Sequence, residues 1–158
     1  MTNFVYNEAA YRLADQNLNL ETLTLKLMLV NDSYVADRDD QFVDEGGTHD
    51  AVDAEITAVT NYVRKELTSG KAWAKDTTND MAWFDAEDPT TWTSLGGASN
   101  DTIEAVILIY DTGVDTTSLL IAYYDTTSGS PSLPYTTTGG NFSVNINAQG
   151  LINLKTNP

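Results

Sequence analysis

Two apolar runs separated by a short polar segment dominate the hydrophobic pattern of this chain. Residues 103–110 are nearly all apolar and rich in β-branched side chains, and residues 119–124 form a second apolar run of similar length. Both runs are too short for a typical helix and have the composition of strands buried on both faces. The polar residues between them include Gly113, which suits a turn. The pattern therefore predicts a β-hairpin at the centre of a sheet.

The sequence also predicts one helix near its start and a strand after it. Apolar residues recur three or four positions apart across residues 5–17, which is typical of a helix with one buried face. Asn3 is the expected N-cap. Residues 23–30 then alternate between apolar and polar, which predicts a strand that turns its leucines to the core. These leucines are Leu23, Leu25, Leu27 and Leu29.

Further short runs predict the remaining strands. Residues 71–75 and 81–85 alternate on either side of a polar segment and indicate a second hairpin. Residues 55–67 are ambiguous between helix and strand, and we expect a strand or extended chain there; residues 89–95 lead through Gly96 and Gly97 to the central strand. A long loop is predicted at 125–140, a strand at 141–147 with Phe142, Val144 and Ile146 inward, and a strand at 151–154. The prediction is a single mainly β domain over residues 1–158. It is an antiparallel β-sandwich or flattened barrel of about eight short strands, with one N-terminal helix.

Residues 31–53 interrupt this pattern with an acidic excursion. Periodicity is lost there, and Asp37, Asp39 and Asp40 crowd near Phe42 and Val43. Long irregular segments in compact domains are usually functional or bound to a partner, because few of their own side chains anchor them. We therefore expect the excursion to contact another molecule.

Composition narrows the range of partners. Eight basic and 23 acidic residues give a net charge of −15, and a surface of this charge repels nucleic-acid phosphates. There is no cysteine, which excludes disulfides, thiolate metal sites and a cysteine nucleophile. No stretch approaches the ~20 apolar residues of a membrane span, and the start lacks a secretory signal pattern. We expect a protein made in a cytoplasm that binds neither nucleic acid nor membrane.

Two groups of residues could carry catalysis or bind a metal, and a structural role is the simpler interpretation of each. His49 is the only histidine, so a Ser-His-Asp triad would have to use it, and a zinc site of His and Cys ligands cannot be built. The run 37–41 resembles the start of a calcium loop, but Phe42 and Thr48 stand where an EF-hand needs Gly and Glu. A surface calcium is an alternative to a solvated turn here, and no cofactor is expected.

A sugar site is a further alternative. Asp85, Glu87 and Asp88 are close in sequence to Trp83 and Trp92, whose rings could hold a sugar. A retaining glycosidase needs two carboxyl groups roughly 5–5.5 Å apart in a cleft, and a chain this short has few residues with which to build one. Tryptophans more often anchor cores or interfaces. We therefore expect the tryptophans, including Trp73, to lie in the core.

Several segments, taken in order, carry a resemblance over nearly the whole chain. They are the N-terminal helix leading to 23–30 and Tyr34, then 60–67 (TNYVRKEL) with 70–71, 80–88 (DMAWFDAED) through Trp92, 109–113 (IYDTG), 120–123, 139–142 and 150–152. Together they resemble a family of small virion structural proteins of tailed bacteriophages. The acidic excursion is longer and more charged than the family's pattern.

The resemblance implies a non-enzymatic head decoration or cement protein on the capsid surface of the virion. Such a protein would bind the major capsid protein, stabilise the outer head lattice and often be a trimer. We expect contact through the N-terminal segment and the excursion. The interface candidates are Phe4, Tyr6, Asp37, Asp39, Asp40, Phe42 and Val43. The alternatives are a tail, neck or fibre component, which would share the fold, and a carbohydrate-binding β-sandwich module.

Overall fold

A computed structural model describes residues 3–48, 50–86, 90–127, 131–145 and 150–155 of the chain. Within these ranges the protein is mainly β, with twelve short strands in antiparallel sheets and one N-terminal α-helix. The strands are β1 (Phe4–Val5), β2 (Leu25–Val30), β3 (Lys65–Glu66), β4 (Ala72–Asp76), β5 (Met81–Asp85), β6 (Thr90–Leu95), β7 (Thr102–Ile103), β8 (Ala105–Tyr110), β9 (Leu119–Tyr124), β10 (Tyr135–Thr136), β11 (Gly140–Val144) and β12 (Ile152–Lys155). The helix α1 is Asn7–Ala14, and a 3-10 turn spans Asp115–Thr117. Neither helical segment of the described chain has the length and hydrophobicity to cross a membrane.

The predicted central hairpin forms the middle of the largest sheet. β8 and β9 pair antiparallel, and the five-stranded sheet runs β1-β9-β8-β2-β3. Every side chain of β9 and all but Tyr110 of β8 are buried. The prediction of two central strands buried on both faces is confirmed.

β2 is buried more completely than its alternating sequence predicts. Met28 and Val30, on the face opposite the leucines, are also buried in the core. Lys26 on that face is half-buried and forms an ion pair with Asp111. Leu23 lies before the strand and is only partly buried. The strand therefore packs against apolar side chains on both of its faces.

The helix is shorter than the predicted range 5–17, and its predicted cap is wrong. Phe4 and Val5 pair with β9 as a strand, so α1 begins only at Asn7. Asn3 does not cap it, because its side chain binds the backbone of Thr126 instead. At the other end Gln16 has a φ of 60°, in the left-handed region, which stops the helix.

The second predicted hairpin is confirmed and belongs to a smaller sheet. β4 pairs with β5, and β12 adds a third strand in the order β12-β5-β4. Two further pairs are β6 with β11 and β7 with β10, the latter inside the predicted loop 125–140. Phe142 and Val144 of β11 are buried as predicted, and Ile146 lies outside the described residues. The sheets do not close into a barrel, so the sandwich-like alternative describes the fold.

The described residues of the acidic excursion form no helix or regular strand, as predicted, but they are well anchored. Tyr34, Val43 and Ala51 are buried in the core, contrary to the expectation that few of its side chains would hold it. Its backbone is held too, since the Val43 amide donates to the Ser118 carbonyl at 2.9 Å. The excursion therefore packs as part of the domain.

Candidate interaction face

The N-terminal segment and the acidic excursion lie end to end along one edge of β9. β1 covers one part of this edge, and the Tyr6 amide donates to the backbone of β9 at 3.1 Å. Phe42 forms an antiparallel bridge with Leu119 on the other part. The N-terminal segment and the acidic excursion, which are separate in sequence and were both predicted to contact a partner, thus form one surface. We call the surface formed by residues 4–12 and 34–43 the N-terminal face.

Two arginines of this face stack on aromatic rings. The Arg38 guanidinium lies 4.8 Å from the centroid of the Phe4 ring, and the Arg12 guanidinium lies 6.0 Å from that of Phe42. Both distances are within the range of cation–π attraction. Each pair joins the N-terminal segment to the excursion, so the two segments hold each other in place.

Hydrogen bonds from Asn7 make the same connection. Its backbone amide donates to the Arg38 carbonyl at 2.8 Å, and its side-chain Nδ2 donates to Asp39 Oδ1 at 2.6 Å. The first residue of α1 therefore fixes both the backbone and one carboxylate of the excursion.

Beneath the face, two tyrosines and a carboxylate form a hydrogen-bonded chain that we call the Tyr34 cluster. The Tyr34 hydroxyl donates to Asp40 Oδ2 at 2.9 Å and lies 2.8 Å from the Tyr6 hydroxyl. Because the Tyr34 hydroxyl donates its hydrogen bond to Asp40, its oxygen acts as the acceptor for the hydrogen bond from the Tyr6 hydroxyl. The Asp37 amide also donates to Asp40 Oδ2, at 3.2 Å. The carboxylate of Asp40 is thus held by neutral donors.

Burial controls the protonation of this cluster. It raises the pKa of the Asp40 carboxyl above its ordinary value, against the opposing effect of the hydrogen bonds from Tyr34 and the Asp37 amide. The neighbouring charge of Glu45 raises it further. Burial also raises the pKa of both tyrosine hydroxyls well above the ordinary value, so both remain protonated donors at neutral pH.

Three of the seven predicted interface residues lie inside the domain. Tyr6 and Val43 have no exposed surface, and Phe4 is 8% exposed beneath Arg38. In this chain their side chains support the face from below.

The other four predicted residues are accessible. Asp37 and Asp39 are exposed, and Asp40 and Phe42 are half-buried. The structure therefore brings all seven predicted residues to one region but divides them into buried supports and accessible groups. The accessible groups are mainly carboxylates, which suit contact with a basic partner.

Sequence reasoning missed the residues that join the two segments. Arg12, Arg38, Asn7 and Tyr34 each reach a partner distant in sequence. The one local signal was the basic Arg38 within the acidic run 37–40. The other three carry no pattern that distinguishes them from ordinary helix or loop residues.

A second cluster lies at the other end of the irregular stretch between β2 and β3. The Arg64 guanidinium donates to both oxygens of Glu55, with Nε to Oε1 at 2.8 Å and Nη2 to Oε2 at 2.6 Å, and also pairs with Asp115. The Tyr62 hydroxyl donates to Glu55 Oε1 at 2.6 Å. We call these four residues the Arg64 cluster. Burial tends to lower the pKa of Arg64, but its two carboxylate partners raise it above the ordinary value, so it stays charged.

The structure also bears on the other candidate sites. Across the described ranges, no group of three or more His, Cys, Asp or Glu side chains is placed to hold a metal ion. In the calcium-like run, the Asp39 carboxylate is bonded to Asn7 and that of Asp40 to Tyr34. The candidates His49, Glu87 and Asp88 lie outside the described residues.

The tryptophans divide between core and surface. Trp92 is fully buried, and its indole N–H donates to the Val63 carbonyl at 2.7 Å, so the prediction of a core residue is confirmed for this ring. Trp73 and Trp83 are half-buried. They lie on opposite faces of the three-stranded sheet, because Trp83 lies opposite Ala74 in the register. The two partly exposed rings therefore cannot form a single platform for a sugar.

The fold and this face together define a mainly β antiparallel domain that carries an anchored acidic surface at one sheet edge. The sequence matches no family model and no curated protein, and no solved structure matches the chain.

Proposed function

We propose that the chain is a non-enzymatic decoration protein of a tailed bacteriophage, which binds the major capsid protein on the outer head surface and stabilises the lattice. The resemblance carried by the segments between residues 23 and 152 supports this role. The observation that carries it furthest is the N-terminal face, because the two segments expected to contact the capsid form one surface.

The construction of the face supports docking. Tyr6 and Val43 fix its backbone from inside, while Asp37 and Asp39 are exposed above. A surface that is ordered before binding loses less conformational entropy when the partner arrives. Basic side chains of the capsid lattice would complement the carboxylates. In a trimer, three such faces would meet the lattice together.

The position on the particle is the first experiment. Antibody raised against the purified chain, detected by immunogold electron microscopy of virus particles, should label heads evenly. Gold confined to tails or necks would replace the decoration role with that of a tail, neck or fibre component. Particles without gold would contradict both roles.

Attachment through the N-terminal face is tested with paired isosteric substitutions. Deletion of the excursion would remove the buried Val43, whereas Asp37→Asn with Asp39→Asn removes two charges and keeps the shape of the side chains. We expect this double variant to co-sediment with heads lacking the chain about 30-fold more weakly, because two interface charge pairs are lost and each costs roughly 1 kcal/mol.

The matched control removes two carboxylates that lie away from this face, one half-buried and one exposed. Asp76 lies at the end of β4 and accepts the Thr78 amide at 2.7 Å, as Asp37 accepts that of Asp39, and Asp53 is exposed. Asp76→Asn with Asp53→Asn should bind heads like the parent chain. Equal binding by both double variants would remove the N-terminal face from the proposed attachment.

A further inference from the structure

The strand β4 forms one edge of the three-stranded sheet. Among the described residues it pairs with β5 on one side, and no strand lies on its other side. The side chains of Ala72, Ala74 and Lys75 are exposed. An edge strand presents backbone amides and carbonyls that can pair with another chain. β4 therefore has a free edge at which a second molecule could add a strand.

The register shows which backbone groups of β4 point to this free edge. Phe84 of β5 lies between Trp73 of β4 and Ile152 of β12. Its carbonyl accepts the Leu151 amide at 2.8 Å, so Phe84 turns its backbone polar groups toward β12. Trp73 and Phe84 are therefore a pair without mutual hydrogen bonds, and the amide and carbonyl of Trp73 point away from β5. Lys75, two residues further along, points the same way.

Two hydrogen bonds hold residues 21–23 against the free edge. The Trp73 amide donates to Glu21 Oε1 at 3.1 Å, and Lys71 Nζ donates to the Leu23 carbonyl at 2.7 Å. In each bond a side chain of one segment binds the backbone of the other, so the two segments lie side by side. The Glu21 carboxylate thus occupies the position that the carbonyl of an added strand would take.

We propose that Glu21 acts as a guard of β4, which keeps this edge from pairing with a second copy of the chain. The guard works by occupying the Trp73 amide, an outward donor of the edge. Charged side chains protect the edges of many natural sheets. The proposal concerns association of the chain with itself and does not depend on the attachment to the head.

A second copy is the occupant that the strand fits. Antiparallel pairing about a two-fold axis at Ala74 places Trp73 of each copy opposite Lys75 of the other, so the outward backbone groups of both strands meet. These two side chains lie on the same face of β4, and the exposed Lys75 amine would reach the Trp73 ring of the other copy as a cation–π pair. Glu21, displaced from the amide, would then lie near the same amine. The edge is therefore complementary to itself once the guard is removed.

The experiment measures self-association of the purified full chain by sedimentation velocity. We expect Glu21→Ala to associate at about tenfold lower concentration than the parent chain, because each dimer gains two amides that are free to pair. Glu21→Gln keeps an acceptor oxygen for the Trp73 amide and should behave like the parent. Asp53→Ala removes an exposed carboxylate elsewhere, with the same change in net charge, and should also behave like the parent.

A second substitution tests whether the association lies at β4. Lys75→Pro removes an outward amide that the ladder with β5 does not use, so Glu21→Ala with Lys75→Pro should associate only as much as the parent. Hydrogen exchange gives the same information without a proline. The Lys75 amide of Glu21→Ala should exchange more slowly at concentrations at which the chain associates than on dilution.

Three results would overturn the proposal. One is a Glu21→Ala chain that associates no more than the parent. Another is equal association of Glu21→Ala with Glu21→Gln or Asp53→Ala, since the cause would then be the loss of net charge. The third is association without protection of the Lys75 amide, which would place the contact outside β4.

Discussion

The Tyr34 cluster and the Arg64 cluster both tie the irregular stretch between β2 and β3 to the sheet, but they balance charge differently. In the Arg64 cluster a guanidinium lies between two carboxylates. In the Tyr34 cluster the carboxylate of Asp40 is held by a hydroxyl and an amide, and its hydrogen-bond donors among the described residues include no cation. Both clusters keep a net charge of −1, but each carboxylate of the Arg64 cluster is paired with the cation, whereas that of Asp40 is held by neutral donors.

The carboxylates of the Arg64 cluster and the Tyr34 cluster also differ in burial. The Glu55 side chain is 4% exposed and that of Arg64 is 17% exposed, whereas Asp40 is half-buried beside the exposed Asp37 and Asp39. A buried ion pair is a structural element, because its charges are already satisfied and hidden from a partner. A carboxylate whose hydrogen-bond donors are all neutral keeps its negative charge and can still attract a basic partner. The N-terminal face therefore carries accessible carboxylates, of which that of Asp40 is held by neutral donors, whereas the Arg64 cluster holds the fold.

The largest expected effect comes from breaking the Arg64 cluster. Arg64→Met should lower the free energy of unfolding by about 3–5 kcal/mol, because it leaves the Glu55 carboxylate buried without its cation. Urea denaturation followed by tryptophan fluorescence measures the change. Adding Glu55→Gln to Arg64→Met should restore part of the loss, since the unpaired charge is then removed.

Arg12 provides the matched control. It pairs with Glu8 at 2.7 Å across one helical turn, and its side chain is 37% exposed. Arg12→Met should cost about 1–2 kcal/mol, because it removes a partly exposed ion pair and the stacking of Arg12 on Phe42. A loss in Arg64→Met no larger than in Arg12→Met would show that the two pairs are equivalent and would end the distinction between the clusters.

The elements of the fold that the sequence predicted well are those determined by neighbouring residues. The two hairpins, at 103–124 and 71–85, follow from the length of the apolar runs and the polar residues between them. The helix boundary was wrong because the strand pairing of Phe4 and Val5 depends on β9, which is distant in sequence. Local periodicity contains no information about that pairing.

The candidate face was predicted in part for the same reason. The acidic run predicted Asp37 and Asp39 as interface residues, and both are exposed. It also led to the prediction of the neighbouring Val43, which is buried in the core and whose amide donates to the Ser118 carbonyl. The contact between Arg12 and Phe42 joins a helix to a loop and has no local signature. The position of the face was therefore predictable, and the contacts that hold it were not.

A smaller effect is expected from breaking the hydrogen-bonded chain of the Tyr34 cluster. Tyr34→Phe leaves Asp40 without its hydroxyl donor and Tyr6 without an acceptor, which should cost about 1–3 kcal/mol. Hydrogen exchange at the Asp37 amide should also accelerate, because that amide shares Asp40 as its acceptor. The control Tyr11→Phe changes a tyrosine that is 64% exposed and should alter neither quantity. An unchanged unfolding free energy in Tyr34→Phe would mean that the tyrosine hydroxyls do not support the excursion.

The smallest effect is a difference in pH dependence between two carboxylates. Burial raises the pKa of Asp40 above its ordinary 3.8, so its favourable contribution is complete below that pH and is lost as pH rises through the folded-state pKa. Asp111 behaves in the opposite way. Burial alone would raise its pKa, but the hydrogen bonds from Lys26 and the Gly113 amide lower it, so its contribution is present above 3.8 and is lost as pH falls.

Unfolding free energies of Asp40→Asn and Asp111→Asn, each measured against the parent chain, should therefore respond to pH in opposite senses. The stability of Asp40→Asn relative to the parent should rise as the pH increases above about 4, because the parent loses stability as Asp40 ionises. The deficit of Asp111→Asn should be complete at neutral pH and shrink below about pH 4, where the parent loses its pair with Lys26. Parallel pH profiles would show that a carboxylate held by neutral donors and one held by a cation ionise alike. The proposed difference in available charge between the two parts of the molecule would then have no basis.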